Sequence, residues 1–263
     1  MEVILLKALL YSPSASVNDE NAFFESMEAA ASLGGDILVF PENIYTPYNE
    51  LLCSVDILSG EEYEAVLDCL YDFCGELGYA AVFNAADDFG FGYSIFVNPM
   101  AHKGETFNKL YLKHTCAKLT CFELEDYDKC ICELFEPIIY RGRKIGLSIG
   151  EDIFLPHIFN RYGSGKVDLV INSFSQDAGN ISAAAEKISV WKNQVVLAAG
   201  HNGSCFGTAP ANGMISARNE GFGLYSVDFD NRHYASKPGS KPEFAETEKY
   251  VGKNADKYAL LQK

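Results

Sequence analysis

Residues 144–152, KIGLSIGED, contain the transition on which the fold depends. The apolar residues of this stretch predict a short buried strand, which ends at Gly150–Asp152 before a helix that we expect to start near Pro156. In α/β proteins, polar residues directly after a buried strand often bind ligands, because the carboxyl ends of parallel strands border a crevice. The end of this strand is therefore the first candidate for a functional site.

Apolar strands alternate with amphipathic helices along the rest of the chain. The predicted strands lie at residues 2–10, 36–40, 79–84, 93–97, 168–171 and 195–199. The predicted helices lie at residues 18–33, 61–77, 155–162 and 180–193. This alternation indicates an α/β fold. We expect one domain over residues 1–235 and a weakly helical C-terminal tail over residues 236–263.

The chain is acidic, and its charge is unevenly distributed. The 263 residues carry a formal net charge of −15, and no Lys or Arg occurs from Ala8 to His102. Because an acidic surface repels a phosphate backbone, the composition argues against nucleic-acid binding. It indicates either a solvated face that keeps the protein soluble or a docking surface for a basic partner.

The sequence argues against several other classes of protein. No apolar run is long enough for a transmembrane helix, and the opening residues MEVILLKALLYS do not resemble a signal peptide. We therefore expect a cytoplasmic protein that does not contact a membrane. The eight cysteines contain no Cys-x-x-Cys spacing and the five histidines add no zinc pattern. We expect free thiols, no metal and no cofactor.

Two further polar residues follow apolar runs in the same way. Glu42 comes after the second predicted strand, and Lys113 ends an alternating apolar run. Each residue also has a structural explanation: Glu42 or Asp152 could cap a helix, and Lys113 could cover apolar surface with its stem. Their order along the chain and their local contexts favour a functional interpretation.

Together these residues resemble the carbon–nitrogen hydrolase (nitrilase) superfamily. Leu38–Glu42 (LVFPE) matches the family's Pro-Glu context after an apolar strand, and Tyr111–Lys113 (YLK) matches its Tyr-x-Lys context. Gly146–Asp152 (GLSIGED) matches the segment in which the family carries its nucleophilic cysteine. The resemblance covers residues 2 to about 230 and includes the hairpin at Asn98–Glu105. It implies an α/β fold of the nitrilase type, an α-β-β-α sandwich.

Within the superfamily, the chain looks most like the glutaminase domain of glutamine-dependent NAD synthetases. This likeness rests on residues 112–128 (LKHTCAKLTCFELEDYD) followed by Gly146–Phe154 (GLSIGEDIF). Asn180 and Ala184 stand where the glutaminase pattern places a Lys and an Arg. The chain therefore departs from that pattern in the part that recognises glutamine.

The resemblance implies a role in amide hydrolysis for each matched residue. Glu42 would act as the general base, and Lys113 would stabilise the tetrahedral oxyanion. A second glutamate would orient this pair, and either Glu123 or Glu125 fits that role. Oxyanion or substrate contacts are implied for Tyr45, for Glu151 and for Ser173, which we expect just after the strand at 168–171.

The chain departs from the family at the nucleophile, because Gly150 occupies the position of the cysteine. Glycine has no side chain, so no acyl-enzyme can form there. We therefore predict an amidase-like or glutaminase-like protein that is catalytically defective. The alternatives are a non-catalytic small-molecule-binding or regulatory subunit and an active amidase with an engineered Cys-to-Gly change at position 150. A further alternative is a hydrolase in which Glu42 activates water directly.

The same resemblance predicts the partners of the protein. We expect a small amide-type ligand in the pocket, and a homodimer or higher homo-oligomer formed through an exposed apolar helix stripe. Because the chain lacks an SGGxDS motif, an ammonia-using synthetase would be a separate chain or would lie beyond this sequence. We expect the Glu42 carboxylate, the Lys113 amine and the Gly150 Cα to lie within about 8 Å of one another, because one ligand has to reach all three.

Overall fold

The computed structural model describes residues 6–13, 20–42, 71–72, 74–86, 92–112, 136–154, 162, 167–175, 178–210 and 213–229. The strands are β1 (Leu6–Tyr11), β2 (Ile37–Val39), β3 (Ala80–Ala86), β4 (Gly92–Val97), β5 (Asn108–Leu112), β6 (Ile138–Tyr140), β7 (Arg143–Ile149), β8 (Leu169–Ser173), β9 (Val195–Ala199), β10 (Cys205–Ala209), β11 (Gly213–Ser216), β12 (Arg218–Gly221) and β13 (Leu224–Phe229). The helices are α1 (Glu20–Ser32), the 3-10 helix η1 (Gly150–Phe154) and α2 (Ala178–Lys192), and residues 74–77 are also helical.

Seven strands form sheet A in the order β12-β13-β1-β2-β3-β4-β5. β1, β2 and β3 run parallel, and β13 and β4 flank them in antiparallel pairs. Leu9 lies opposite Leu38, and Leu38 lies opposite Ala81, so one face of the parallel core is uniformly apolar. Glu42 comes three residues after the end of β2, at the carboxyl end of this core.

Six strands form sheet B in the order β11-β10-β9-β8-β7-β6. The arrangement of sheet A is repeated, because β7, β8 and β9 run parallel between the antiparallel strands β6 and β10. Ile149 lies opposite Ser173, and Ser173 lies opposite Ala199. The carboxyl ends of the three parallel strands therefore lie side by side, directly before Gly150.

Hydrogen bonds at both ends of the sandwich align the two sheets. At one end, the hydroxyl of Tyr140 donates to the carbonyl oxygen of Asp36, and the Arg141 guanidinium pairs with the Asp36 carboxylate. At the other end, Ser173 Oγ donates to the carbonyl oxygen of Phe40 at 2.8 Å. The parallel strands of both sheets consequently begin at one end and finish at the other, so the segments after β2 and β7 lie at the same end.

Two apolar clusters define four layers. The inner faces of both sheets pack against each other in the first cluster, which includes Leu10, Val82, Phe96, Ile171 and Leu197. The same cluster extends through sheet B to α2, whose buried residues are Ile181, Ala184, Ala185, Ile188 and Ser189. The second cluster covers the outer face of sheet A with α1 and residues 74–77, and includes Met27, Ala30, Cys74, Leu38 and Ala81. These layers are helix, sheet, sheet and helix.

The α-β-β-α sandwich predicted from the sequence is confirmed, but the bounds of several elements differ. Asn172 and Ser173 lie inside β8 and not after it, so the expected end of that strand was wrong. Asn172 Oδ1 accepts from Ser148 Oγ across the sheet, and Ser173 Oγ donates to Phe40 across the sandwich, so these two polar oxygens can be buried in a strand. A 3-10 helix follows β7 immediately at Gly150, earlier than the expected helix near Pro156.

Other predicted elements lie outside the described residues. They are residues 61–70 of the second helix, residues 155–161 and the tail at 236–263, together with the domain boundary at residue 235. In the parts of the chain that are described, no helix has the length and apolar character to cross a membrane.

Candidate functional site

Glu42 is buried, with 8% of its surface exposed, and side chains from both sheets hold the chain that leads to it. From sheet A, Asn84 Nδ2 donates to the carbonyl oxygen of Phe40 at 2.7 Å. From sheet B, Ser173 Oγ donates to the same carbonyl oxygen at 2.8 Å. Beyond β9, His201 Nε2 lies 2.7 Å from the carbonyl oxygen of Glu42, and because a carbonyl only accepts, this nitrogen carries the proton. These bonds fix the backbone of the predicted base.

A hydroxyl contacts the carboxylate itself. Ser175, two residues after β8, donates from Oγ to Glu42 Oε2 at 3.2 Å. A hydroxyl in this position can orient a carboxylate, and it is also the contact through which a base activates a nucleophile. Ser175 thus gives Glu42 a polar partner on the sheet B side of the site.

Gly150 is buried and marks the turn from β7 into η1. Its φ is 52°, in the left-handed region that favours glycine. A side chain here would cost about 1–2 kcal/mol of backbone strain, which a folded protein can tolerate. In the α/β-hydrolase fold, a strained strand-to-helix turn of this kind exposes the nucleophile. The backbone at Gly150 therefore has a conformation that suits glycine and that another residue would adopt only under strain.

The bonds of sheet B bring this turn close to the segment that holds Glu42. Gly150 follows Ile149, which lies opposite Ser173, and neighbouring strands are about 4.8 Å apart. Ser173 in turn bonds Phe40, two residues before Glu42. Glu42, Gly150 and Ser173 therefore converge at one corner between the sheets.

A second buried link joins sheet A to the turn after Gly150. Tyr111 Oη, on β5, donates to Asp152 Oδ2 at 2.8 Å, and both residues are fully buried or nearly so. Asp152 lies in η1, so this bond holds η1 against the inner face of sheet A. The Tyr-x-Lys segment and the turn after β7 are thus adjacent at Tyr111.

The remaining predicted site residues have mixed outcomes. Glu151 follows Gly150 in η1, and its side chain is exposed. Four others lie outside the described residues: Tyr45, Lys113, Glu123 and Glu125. The predicted separation of about 8 Å between Glu42, Lys113 and Gly150 therefore stays a prediction.

The described residues include two cysteines, and both are free thiols. Cys74 lies in the cluster outside sheet A, and Cys205 begins β10. Burial raises the pKa of each thiol to about 12, which keeps both protonated and weakly nucleophilic at neutral pH. Ser148, which precedes Gly150 by two residues, donates to Asn172 Oδ1 at 2.6 Å.

In the described part of the chain, no group of three or more His, Cys, Asp or Glu side chains could hold a metal ion.

A cleft of about 510 Å³ opens at the same end of sheet A, around the end of β1. Its described lining residues include Ser12, Asn202 and Gly203, and they include neither Glu42 nor Gly150. Asn202 directly follows His201, so the cleft adjoins the segment that holds Glu42.

The sequence analysis missed three residues that hold Glu42: Asn84, Ser175 and His201. A polar residue at or after the end of a buried strand, the signal that identified Glu42, was present for all three. Asn84 ended a predicted strand, Ser175 followed one, and His201 came two residues after another. The signal identifies the end of the sheet at which such residues lie, but it does not identify which of them meet.

Proteins with a similar fold are found among solved structures, although the sequence itself has no match. No family model matches the chain, and no curated protein matches its sequence. An amidase from Nesterenkonia sp. AN1, in a structure with the acetamide moiety of fluoroacetamide on its active-site cysteine, aligns with a TM-score of 0.58 at 16% identity, over 93% of this chain and 96% of that one. A variant of that amidase in complex with butyramide aligns with a TM-score of 0.58 at 17% identity, over 93% and 96%.

A third solved structure extends the likeness beyond one enzyme. Nit3 from Saccharomyces cerevisiae, a member of branch 10 of the nitrilase superfamily, aligns with a TM-score of 0.61 at 13% identity, over 94% of each chain. At these identities the likeness concerns the fold. The fold of this chain is an α-β-β-α sandwich, similar to the folds of this amidase and of Nit3.

Proposed function

We propose that this protein binds a small amide-type ligand at a carbon–nitrogen hydrolase-type site and does not hydrolyse it through an acyl-enzyme. One observation carries the proposal: Glu42 is buried, side chains from both sheets hold the backbone that leads to it, and it lies near a strand end at which Gly150 provides no nucleophile. A site that has a base but no nucleophile can still bind an amide, because the carboxylate accepts hydrogen bonds from the N–H groups of the amide.

The solved structures with this fold support the class of ligand. A variant of the amidase from Nesterenkonia sp. AN1 has been solved in complex with butyramide. Another variant of that amidase carries the acetamide moiety of fluoroacetamide on its active-site cysteine. This chain has glycine at the position that the sequence resemblance assigns to the cysteine. A buried carboxylate at this corner, with no thiol at position 150, therefore favours binding over turnover.

Binding and turnover can be measured separately on the same protein. Isothermal titration with propionamide, butyramide and glutamine is expected to give dissociation constants in the micromolar to millimolar range for at least one of them. Ammonia release from the same amides is expected to stay at the level of a protein-free control. Failure of every amide to bind would overturn the ligand class, and ammonia release well above the control would overturn the proposed defect.

Hydrolysis through an oxygen nucleophile is a second candidate, favoured by the contact between Ser175 and Glu42. In this route Ser175 Oγ attacks the amide carbonyl, and the hydroxyl proton passes to Glu42 and then to the departing ammonia. A C–O bond forms as the C–N bond breaks, and water later hydrolyses the ester.

Ser175→Ala separates the possible oxygen nucleophiles. Ammonia release by the parent that is lost in Ser175→Ala supports the serine route, and release that survives the substitution supports water activated directly by Glu42. No release by the parent rejects both routes.

A further inference from the structure

Among the described residues, three buried side-chain atoms have no hydrogen-bond partner: Asn84 Oδ1 and Ser94 Oγ in sheet A, and Asn172 Nδ2 in sheet B. The two in sheet A concern the site, because Asn84 holds the backbone that leads to Glu42. Asn84 is 3% exposed and Ser94 is 1% exposed, so bulk water does not satisfy them. A buried polar group left unpaired destabilises a protein, and most such groups in native structures are paired with protein or with ordered water. These two atoms therefore indicate that something absent from the bare chain contacts them.

The orientation of the Asn84 amide follows from its partners. Asn84 Nδ2 donates to the carbonyl oxygens of Phe40 at 2.7 Å and Pro41 at 3.3 Å. Both partners can only accept, so the NH₂ group must face them and Oδ1 must point away. The unpaired atom of Asn84 is therefore its acceptor, and it belongs to a side chain that already supports the backbone before Glu42.

The register places the second unpaired atom directly across from the first. Asn84 lies opposite Ser94, and Ser94 lies opposite Tyr111. Side chains two residues apart on a strand share a face, so Asn84 shares the face of Val82 and Ser94 shares that of Phe96, both in the cluster between the sheets. The two atoms thus lie between the sheets, in a row that ends at the Tyr111–Asp152 hydrogen bond.

We propose that Asn84 and Ser94 form a polar subsite that binds a hydrogen-bond donor, a hydroxyl or an amine, on the chain of the amide ligand. The inference rests on the proposed function and deepens it, since it names the substituent that the site selects. Asn84 Oδ1 can only accept, and Ser94 Oγ can accept or donate, so the shared partner must donate. An aliphatic chain would leave both atoms unpaired, which makes plain aliphatic amides the weaker ligands.

Two sets of isosteric amides test this preference. The shorter set is propionamide, glycolamide and glycinamide, and the longer set is butyramide, 3-hydroxypropanamide and 3-aminopropanamide. Within each set the terminal group changes from methyl to hydroxyl to ammonium at constant heavy-atom count, and two chain lengths cover two distances from the carboxamide. Titration calorimetry on the full chain is expected to show at least one hydroxyl or ammonium ligand binding about 10-fold tighter than its methyl analogue, as one charge-assisted or well-made hydrogen bond allows.

Ser94→Ala is the test variant, and Ser189→Ala is its matched control. Ser189 is also a fully buried serine, but its Oγ lies 2.5 Å from Thr208 Oγ1, on the α2 side of sheet B. Ser94→Ala is expected to abolish the preference while leaving the melting temperature of the ligand-free protein unchanged or higher, because it removes an unpaired hydroxyl. Ser189→Ala is expected to lower the melting temperature and to keep the preference.

Each outcome decides a different point. A preference for the donor-bearing amides that disappears in Ser94→Ala supports the subsite, and the hydroxyl and ammonium arms show which donor it takes. Equal binding within both sets overturns the subsite while leaving the proposed function intact. Absence of binding by all six amides overturns the proposed function itself. A preference that survives in Ser94→Ala overturns the role of Ser94.

Discussion

The end of β2 and the end of β7 lie at the same end of the sandwich, yet they are held in different ways. After β2, hydrogen bonds from Asn84, Ser173, Ser175 and His201 hold Glu42 and the residues before it. After β7, the chain turns at Gly150 through its own positive φ, without a side chain. The comparison shows that side chains from other strands hold the segment after β2, whereas the turn after β7 depends on the backbone conformation of Gly150 and on the bond between Tyr111 and Asp152.

The largest effect is expected from placing a thiol at the end of β7. Gly150→Cys should place a thiol beside Glu42, and a positioned general base accelerates such chemistry by about 10²–10⁴-fold. Labelling by fluoroacetamide, followed by intact-mass spectrometry, should be at least about 100-fold faster than in Gly142→Cys. Gly142 is the control because it lies before the same strand at its other end, also with a positive φ, of 72°. Equal labelling rates would show that the end of β7 no longer presents a side chain to Glu42.

The next largest effect is expected from removing the negative charge of Glu42, after β2. Glu42→Gln keeps the shape of the side chain but loses the carboxylate, so the affinity for the best-binding amide should fall about 10–100-fold. Calorimetric titration measures this loss. Glu186→Gln, on the exposed surface of α2, is expected to bind as the parent does. Unchanged affinity in Glu42→Gln would show that the buried carboxylate does not contribute to ligand binding.

The bond that joins β5 to the turn after Gly150 should contribute to stability. Tyr111→Phe removes a hydrogen bond to a buried carboxylate and should lower the free energy of unfolding by about 2 kcal/mol, measured by urea denaturation. Tyr79→Phe is the matched control, because Tyr79 Oη donates to the neutral carbonyl oxygen of Met27 at 3.1 Å; its cost should be about 1 kcal/mol. A double-mutant cycle with Asp152→Asn that gave no coupling energy would contradict this assignment.

The last test concerns the ionisation of a buried thiol in the cluster outside sheet A. Burial raises the pKa of Cys74 to about 12, so the folded state holds this proton while the unfolded state loses it near pH 9. The free energy of unfolding should therefore fall between pH 9 and pH 12, with Cys74 contributing about 1.4 kcal/mol per pH unit. Urea denaturation of Cys74→Ala should show a correspondingly shallower pH dependence. Identical slopes in the two proteins would mean that Cys74 ionises as easily when folded as when unfolded.

Parts of the site were predictable because the sequences of buried parallel strands are runs of apolar residues. Ile37–Val39 and Arg143–Ile149 were recognisable in this way, and the residues after them carried the family resemblance. The edge strands were not recognisable. Arg218–Gly221 has the sequence RNEG, and as an edge strand it pairs only with β13, so it needs no apolar alternation.

The hydrogen-bond partners of Glu42 could not be predicted from one sequence for a different reason. His201 and Ser175 have polar side chains near strand ends, as many loop residues do, and nothing local marks them as partners of Glu42. Their contacts depend on how sheet A docks on sheet B, which is set by the apolar cluster between them. Local patterns predict elements, whereas docking of whole sheets decides which polar residues meet.

The hydrogen bonds that hold Phe40 and Glu42 also have a consequence for the order of folding. The bonds from Ser173 and Ser175 each span 133 residues of sequence, and the bond from His201 spans 159. Contacts of such separation form late, since closing a long loop is entropically costly until the apolar faces have docked. During synthesis, the N-terminal sheet core emerges long before its partners, so a nascent chain that ends before residue 201 lacks the contact between His201 and Glu42. Under the proposed function, the ligand site is thus completed in one of the last steps of folding, and a bound ligand would stabilise only chains that have completed it.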